Sequence, residues 1–286
     1  MLFGIHEIFW QLVDPAFSQN SQIDKETQVI RKQFLEESNL HFYEVMCRFL
    51  DALDIFQKNM VALDTTFSMD MAERPMFLHM NTQRRAGMAA DAILQYLGIL
   101  LDVIGSLIPF VMLDKPKDYS CYSHHEKNKC DSLHKAKKYA RSNPLFAQLK
   151  DIFAKLDLPN SWWAIGYEPG NGMRQRITHY PDLVMFQGCG IAGEKEMKTQ
   201  AILSNAIDLS NCINFEEALK SMLAGLCDWL DELEQKLFEI LQNRATGLGK
   251  ILTRKRISLV VLPIFREEAR EIPDKDFLYL PMCDGS

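Results

Sequence analysis

Arg174 and His179 stand five residues apart in GNGMRQRITHYPDL, residues 170–183, a polar segment with little apolar reason for either side chain. An arginine beside a histidine suits phosphoryl transfer from RNA without a metal. The guanidinium holds the phosphate and stabilises transition-state charge, while the imidazole moves a proton. On a regular helix, five steps of about 100° leave the two side chains about 140° apart. A shared site therefore needs an irregular helix end, a side chain that wraps round, or a second subunit. Arg176 and His179, three apart, share a face better, which makes Arg176 a candidate substrate contact. His179 just before Tyr180–Pro181 sits at an expected helix end, where the negative dipole favours its protonated form. The plainer reading is the exposed polar last turn of a helix, a pattern that also arises by accident.

Upstream, DKPKDYSCYSHHEKNKCDSLHKAKKYAR is the most basic part of the chain. Lys115–Arg141 holds eight Lys/Arg against three Asp/Glu. Lys135, Lys137 and Lys138 are candidate substrate-binding residues there. Tyr119, Tyr122 and Tyr139 lie among the cations, as a single-stranded nucleic-acid track would require. A solvated face is the competing reading, and proximity to Arg174 decides between them. Cys121, His124, His125 and Cys130 could offer thiolate and imidazole to zinc. No second pair recurs at a zinc-finger distance, however, and lysines oppose a cation, so no metal and no cofactor are expected. Trp162 and Trp163 in SWWAIGY read as core anchors, or else as a stacking wall for a base. Arg254, Lys255 and Arg256 flank an apolar run. GNG, GCGIAG and GLGK lack the strand–loop–helix setting of phosphate loops. No HExxH or nucleophile elbow is present.

A net charge of −6 means that any nucleic-acid binding must rest on a local basic patch. Seven cysteines without a framework spacing fit reduced thiols in a cytoplasmic protein. The start, MLFGIHEIFWQLV, lacks a basic lead and a small-residue cleavage site, so no secretory signal is expected. Met88–Leu113 is the longest apolar stretch, but Asp91, Gln95, Asp102, Gly105 and Pro109 interrupt it, and no membrane span is expected.

The elements that must position these residues are mostly helical. Val29, Ile30, Phe34, Leu35, Phe42, Val45, Met46, Phe49, Leu50, Leu53 and Phe56 recur at three- and four-residue steps, predicting one or two long helices over 25–63. A second long helix is predicted from Pro75 to about Ile108, ending near Pro109. It is apolar nearly all round and so suits the centre of a bundle or a subunit interface. Residues 114–141 read as an exposed basic loop running into a polar helix. A short amphipathic helix follows from Pro144, and another turn or helix starts at Asn160 or Ser161. A small β-hairpin or β element is expected near 182–210. A closing helix is capped by Asn214, with Phe215, Leu219, Met222, Leu223, Leu226, Leu230, Leu233, Leu237, Ile240 and Leu241 as its stripe. Residues 246–286 read as a final strand and polar tail. The expectation is a single mainly α domain, an up-and-down helical bundle with a small β element.

On this layout the R-x4-H segment resembles the R-x4-6-H motif of the HEPN (higher eukaryotes and prokaryotes nucleotide-binding) superfamily. Gln175 stands where that family commonly has Asn, Asp or His. The resemblance implies a helical-bundle homodimer with Arg174 and His179 as a catalytic pair in a cleft across the dimer. It implies attack of a ribose 2′-hydroxyl on the adjacent phosphate, in a metal-independent endoribonuclease or an RNA- or nucleotide-binding relative. The alternative is a non-catalytic helical interaction module that buries its apolar helix against a partner chain.

Overall fold

The computed structural model describes residues 25–113, 133–142, 144–168, 172–179, 184–190, 197–203 and 212–247. The fold is mainly α with a three-stranded antiparallel sheet, as the periodicity predicts. Helix α1, Lys25–Phe67, is a single 43-residue helix, about 65 Å long at 1.5 Å per residue. Its buried positions Phe42, Val45, Met46, Phe49, Leu53, Phe56, Met60 and Leu63 repeat at three- and four-residue steps, the apolar stripe of a core-facing helix.

Helix α2, Met76–Leu113, returns along α1 and buries Ala86, Ala89, Ala90, Ile93, Leu94, Leu97, Leu100, Leu101, Ile104 and Ile108. It runs past Pro109, where the sequence reading ends it. A proline removes one hydrogen bond and crowds the preceding turn, but the turn before it is held in the core by buried Ile104 and Ile108. Among the described residues Met76–Ser106 is the one helical stretch long and apolar enough to cross a membrane. Half of its apolar window is buried inside the protein.

The turn joining α1 to α2 is pinned by side chains. His79 Nδ1 lies 2.9 Å from the Thr66 hydroxyl and its Nε2 lies 3.2 Å from Gln83 Nε2. The imidazole meets the Phe67 ring edge-on at 4.7 Å, and the Arg74 guanidinium covers that ring at 5.1 Å. Arg74 also donates to the Phe67 carbonyl.

Helix α3, Leu133–Ser142, occupies the end of the segment read as an exposed basic loop. Leu133, Ala136 and Ala140 face the core at the helical period and pack on α2. Its first amide, Leu133 N–H, donates to Asp102 of α2 at 3.3 Å, satisfying one of the donors a helix start leaves open. The expected amphipathic helix after Pro144 is broken into a 3₁₀ turn (Pro144–Leu149), helix α4 (Lys150–Ala154) and a second 3₁₀ turn (Lys155–Asp157). Helix α5, Trp162–Tyr167, starts at Ser161, whose hydroxyl accepts from Ala164 N–H at 3.1 Å.

Helix α6, Met173–His179, carries the R-x4-H segment. Strands β1 (Val184–Gly190) and β2 (Met197–Leu203) pair antiparallel from Val184–Leu203 to Gly190–Met197, and β3 (Ile213–Asn214) adds to β2. Alternate residues Thr199, Ala201 and Leu203 are buried, the period-two pattern of a strand with one covered face. Asp64 of α1 accepts the Thr199 amide at 2.6 Å, and Gly188 lets β1 lie against the Phe67 ring, which a Cβ there would meet at 2.9 Å.

Helix α7, Phe215–Gly247, closes the bundle. Asn214 caps it as predicted, its Oδ1 accepting from Glu216 and Glu217 N–H at 3.1 and 3.3 Å. The predicted stripe from Leu219 to Leu237 is buried. Phe215 meets Phe56 of α1 edge-on at 5.2 Å. The C-terminal strand expected beyond 247, the Cys121/His124/His125/Cys130 loop and the Arg254–Arg256 cluster lie outside the described residues.

Candidate functional site

Helix α6 separates its two arginines by depth. Met173 and Ile177 are buried in the core, and Arg176 is buried with them at 8% exposure. Arg174 lies on the exposed side. The substrate-contact role expected for Arg176 thus falls on a side chain turned into the protein, while the catalytic candidate Arg174 faces out. His179 is the last residue of the helix; its side chain lies outside the description. Since the helix runs unbroken over Met173–His179, Arg174 and His179 leave the backbone about 140° apart.

The Arg174 guanidinium has a built seat. Its Cζ stands 6.0 Å from the centre of the Tyr167 ring, within cation–π range. A Cβ added at Gly98 of α2 would come within 3.3 Å of Arg174 Nη1 and 3.4 Å of Tyr167 Cε1. Tyr167 is itself fixed, its hydroxyl donating to the Leu94 carbonyl at 3.1 Å. Burial pushes the Tyr167 phenol well above its usual range; Asp102 adds to that and Arg174 opposes it. Arg174 pairs with no carboxylate among the described residues.

From Tyr167 the contacts run on to α3. The Trp163 ring is tilted 31° onto Tyr167 at 5.6 Å, and Lys137 Nζ lies 5.5 Å over Trp163. The order is cation, ring, ring, cation. Lys137 also reaches Asp157 at 2.6 Å, and Arg141 pairs with the same carboxylate. Burial lowers the Lys137 pKa first and Arg141 adds to it, while Glu168 acts the other way. Lys138 is exposed, and the Lys135 side chain lies outside the description. The structure therefore brings Lys137 and Arg174 to one aromatic surface, with part of the basic segment's charge already met by Asp157.

The two tryptophans differ in burial. Trp162 is buried against Trp229 at 5.4 Å, Trp163 at 5.7 Å and Tyr167 at 6.3 Å. Trp163 sits at the partly buried edge, under Lys137.

Gly98, Tyr167 and Asp157 are site residues that sequence reasoning missed. A glycine at a buried position inside an apolar helix was the one signal available, since such a glycine weakens the helix and asks for a packing reason. A second feature lies on the other side of α2. An open groove of about 330 Å³ is lined by Arg48, Asp51, Ile55, Arg85, Met88 and Tyr96, with alanines between them. Met88 at its edge is 63% exposed. No group of three or more His, Cys, Asp or Glu among the described residues is placed to hold a metal ion.

The arrangement defines a class, a long-helix bundle with a small antiparallel sheet and a cation–aromatic surface along α3, α5 and α6. No family model matches the chain, and no curated protein and no solved structure matches it either.

Proposed function

We propose that this chain is a HEPN-like RNA-binding protein that acts in the cytoplasm as a homodimer and cleaves RNA without a metal. The observation that carries the reading is the exposed Arg174, its guanidinium seated on Tyr167 and joined through Trp163 to Lys137. A single strand needs cations for its phosphates and aromatic rings for its bases, and this surface offers both. Arg174 holds the scissile phosphate. His179 accepts the 2′-hydroxyl proton as that oxygen attacks phosphorus; the bond to the 5′-oxygen breaks, that oxygen takes a proton from water and leaves as a 5′-hydroxyl, and a 2′,3′-cyclic phosphate remains. Because five helical steps set positions 174 and 179 about 140° apart around the α6 axis, the proposed site is completed by the partner subunit.

The test is cleavage of a labelled single-stranded RNA in excess chelator by purified wild type, Arg174→Ala and His179→Ala. The expectation is cleavage by wild type and a loss of at least 100-fold in each variant, with unchanged circular dichroism. Equal activity in the variants, or none in wild type, overturns the nuclease reading.

The groove beside Met88 favours a second reading, a non-catalytic helical interaction module. That reading predicts a stable oligomer that Met88→Glu dissociates, with no effect of His179→Ala on any property. Sedimentation of wild type and Met88→Glu tests the groove as the interface, and the RNA-cleavage assay on His179→Ala separates the two readings.

A further inference from the structure

We infer that Gly98 and Tyr167 are positioning residues for Arg174, together forming a seat that lays its guanidinium across α2 and leaves one edge free for a phosphate. The inference rests on the RNA reading for the identity of the anion, but the seat itself stands on geometry.

Gly98 lies at a buried position within α2, with Leu97 and Leu100 in the core beside it. A glycine there lowers helix stability relative to alanine, so its presence needs a packing reason. The space a side chain would fill is already taken. A Cβ at 98 would stand 3.3 Å from Arg174 Nη1, 3.4 Å from Arg174 Cζ and 3.4 Å from Tyr167 Cε1. Gly87 of the same helix has nothing within 4 Å of its added Cβ, so the close approach at 98 is not a general feature of glycine in this helix. Tyr167 closes the seat. Its hydroxyl holds the carbonyl of Leu94, one helical turn before Gly98, so ring and notch are tied to the same stretch of α2.

A long side chain loses rotamer freedom when it grips a ligand. A guanidinium already laid against a ring and a helix backbone has lost much of that freedom beforehand, so its phosphate contact is stronger. An alanine at 98 crowds the flexible end of Arg174, whereas a leucine fills the notch and lifts the guanidinium out.

Two double-variant cycles test this, one without ligand. In the first, Gly98→Leu is introduced into wild type and into Arg174→Ala, and melting temperatures are compared. The expectation is that the loss caused by Gly98→Leu shrinks by at least half once Arg174 is gone, because the leucine then takes the vacated space. Additive losses overturn the seat. In the second, a single-stranded RNA 12-mer is titrated at several salt concentrations. Gly98→Leu and Tyr167→Leu should each weaken binding about tenfold and reduce the salt slope by about 0.7, one phosphate contact. In the Arg174→Ala background neither should weaken it further. Gly98→Ala, which keeps the fold, should fall between wild type and Gly98→Leu. A positioning role also requires the salt slope to move, which a purely structural loss would leave unchanged. Coupled melting without RNA binding by any variant overturns the RNA reading and leaves the seat in place. Additive binding losses overturn the positioning role.

Discussion

Trp162 and Trp229 face each other at 5.4 Å and are buried alike, at 4% and 3% exposure. They differ in one respect. Trp229 Nε1 donates to the Ile152 carbonyl at 3.0 Å, whereas the buried Trp162 Nε1 has no hydrogen-bond partner among the described residues. Replacing either by phenylalanine removes a similar volume, and a residual cavity of roughly 40 Å³ at ~24 cal/mol per Å³ costs about 1 kcal/mol in both cases. Trp162→Phe also removes an unsatisfied buried donor, which offsets about 1–3 kcal/mol, so the net change is near zero or stabilising. Trp229→Phe instead loses a hydrogen bond and leaves a carbonyl open, adding about 1 kcal/mol or more. The two variants should therefore differ by at least about 2 kcal/mol, roughly 4–8 °C in melting temperature for a chain of this size. Urea unfolding followed by far-ultraviolet circular dichroism measures this, with the slope checked for constancy. If Trp162→Phe proves as destabilising as Trp229→Phe, hydrogen bonding does not distinguish the two indoles and the reasoning fails.

Three further outcomes are expected. Burial and then Arg74 lower the His79 pKa below 6.5, so the folded state favours the neutral ring; its contribution is complete above pH 6.5 and is lost as pH falls below it. Between pH 7.5 and 5.5 the wild-type melting temperature should therefore drop further than that of His79→Gln. Asn214→Ala should cost about 1 kcal/mol by uncapping α7, and Asn214→Asp should restore it, both read by thermal melts. Gly188→Ala should destabilise by about 1–3 kcal/mol, because its Cβ meets a Phe67 ring already held by His79 and Arg74; equal melting in wild type and variant would show that the sheet shifts freely on α1.

What the sequence by itself determined about this protein was local. The stripes of α1 and α7 were legible because a helix repeats every 3.6 residues, and burying one face leaves that period in the residue types. The Asn214 cap, and a start at Asn160 or Ser161, were legible because a helix's first amides need an acceptor from a nearby side chain; the structure takes Ser161. The hairpin of β1 and β2 was legible from a short apolar run broken by glycines. Local rules failed where tertiary contacts outweighed them. Pro109 reads as a stop, yet α2 continues to Leu113, with Ile104 and Ile108 anchoring the turn before the proline in the core. The charges of 114–141 read as an exposed loop running into a polar helix, yet Leu133, Ala136 and Ala140 dock the helix at its end on α2.

The candidate site divides the same way. The sequence marked Arg174 and His179 as a pair of chemical types on one short helix. Only the tertiary structure turned Arg176 inward and Arg174 outward, placed Lys137 over Trp163, and met part of the basic charge with Asp157. Gly98 lies 76 residues before Arg174 in the chain. No period or spacing connects them, because their meeting depends on how α2, α5 and α6 pack, and a missing side chain acts only through what fills its place.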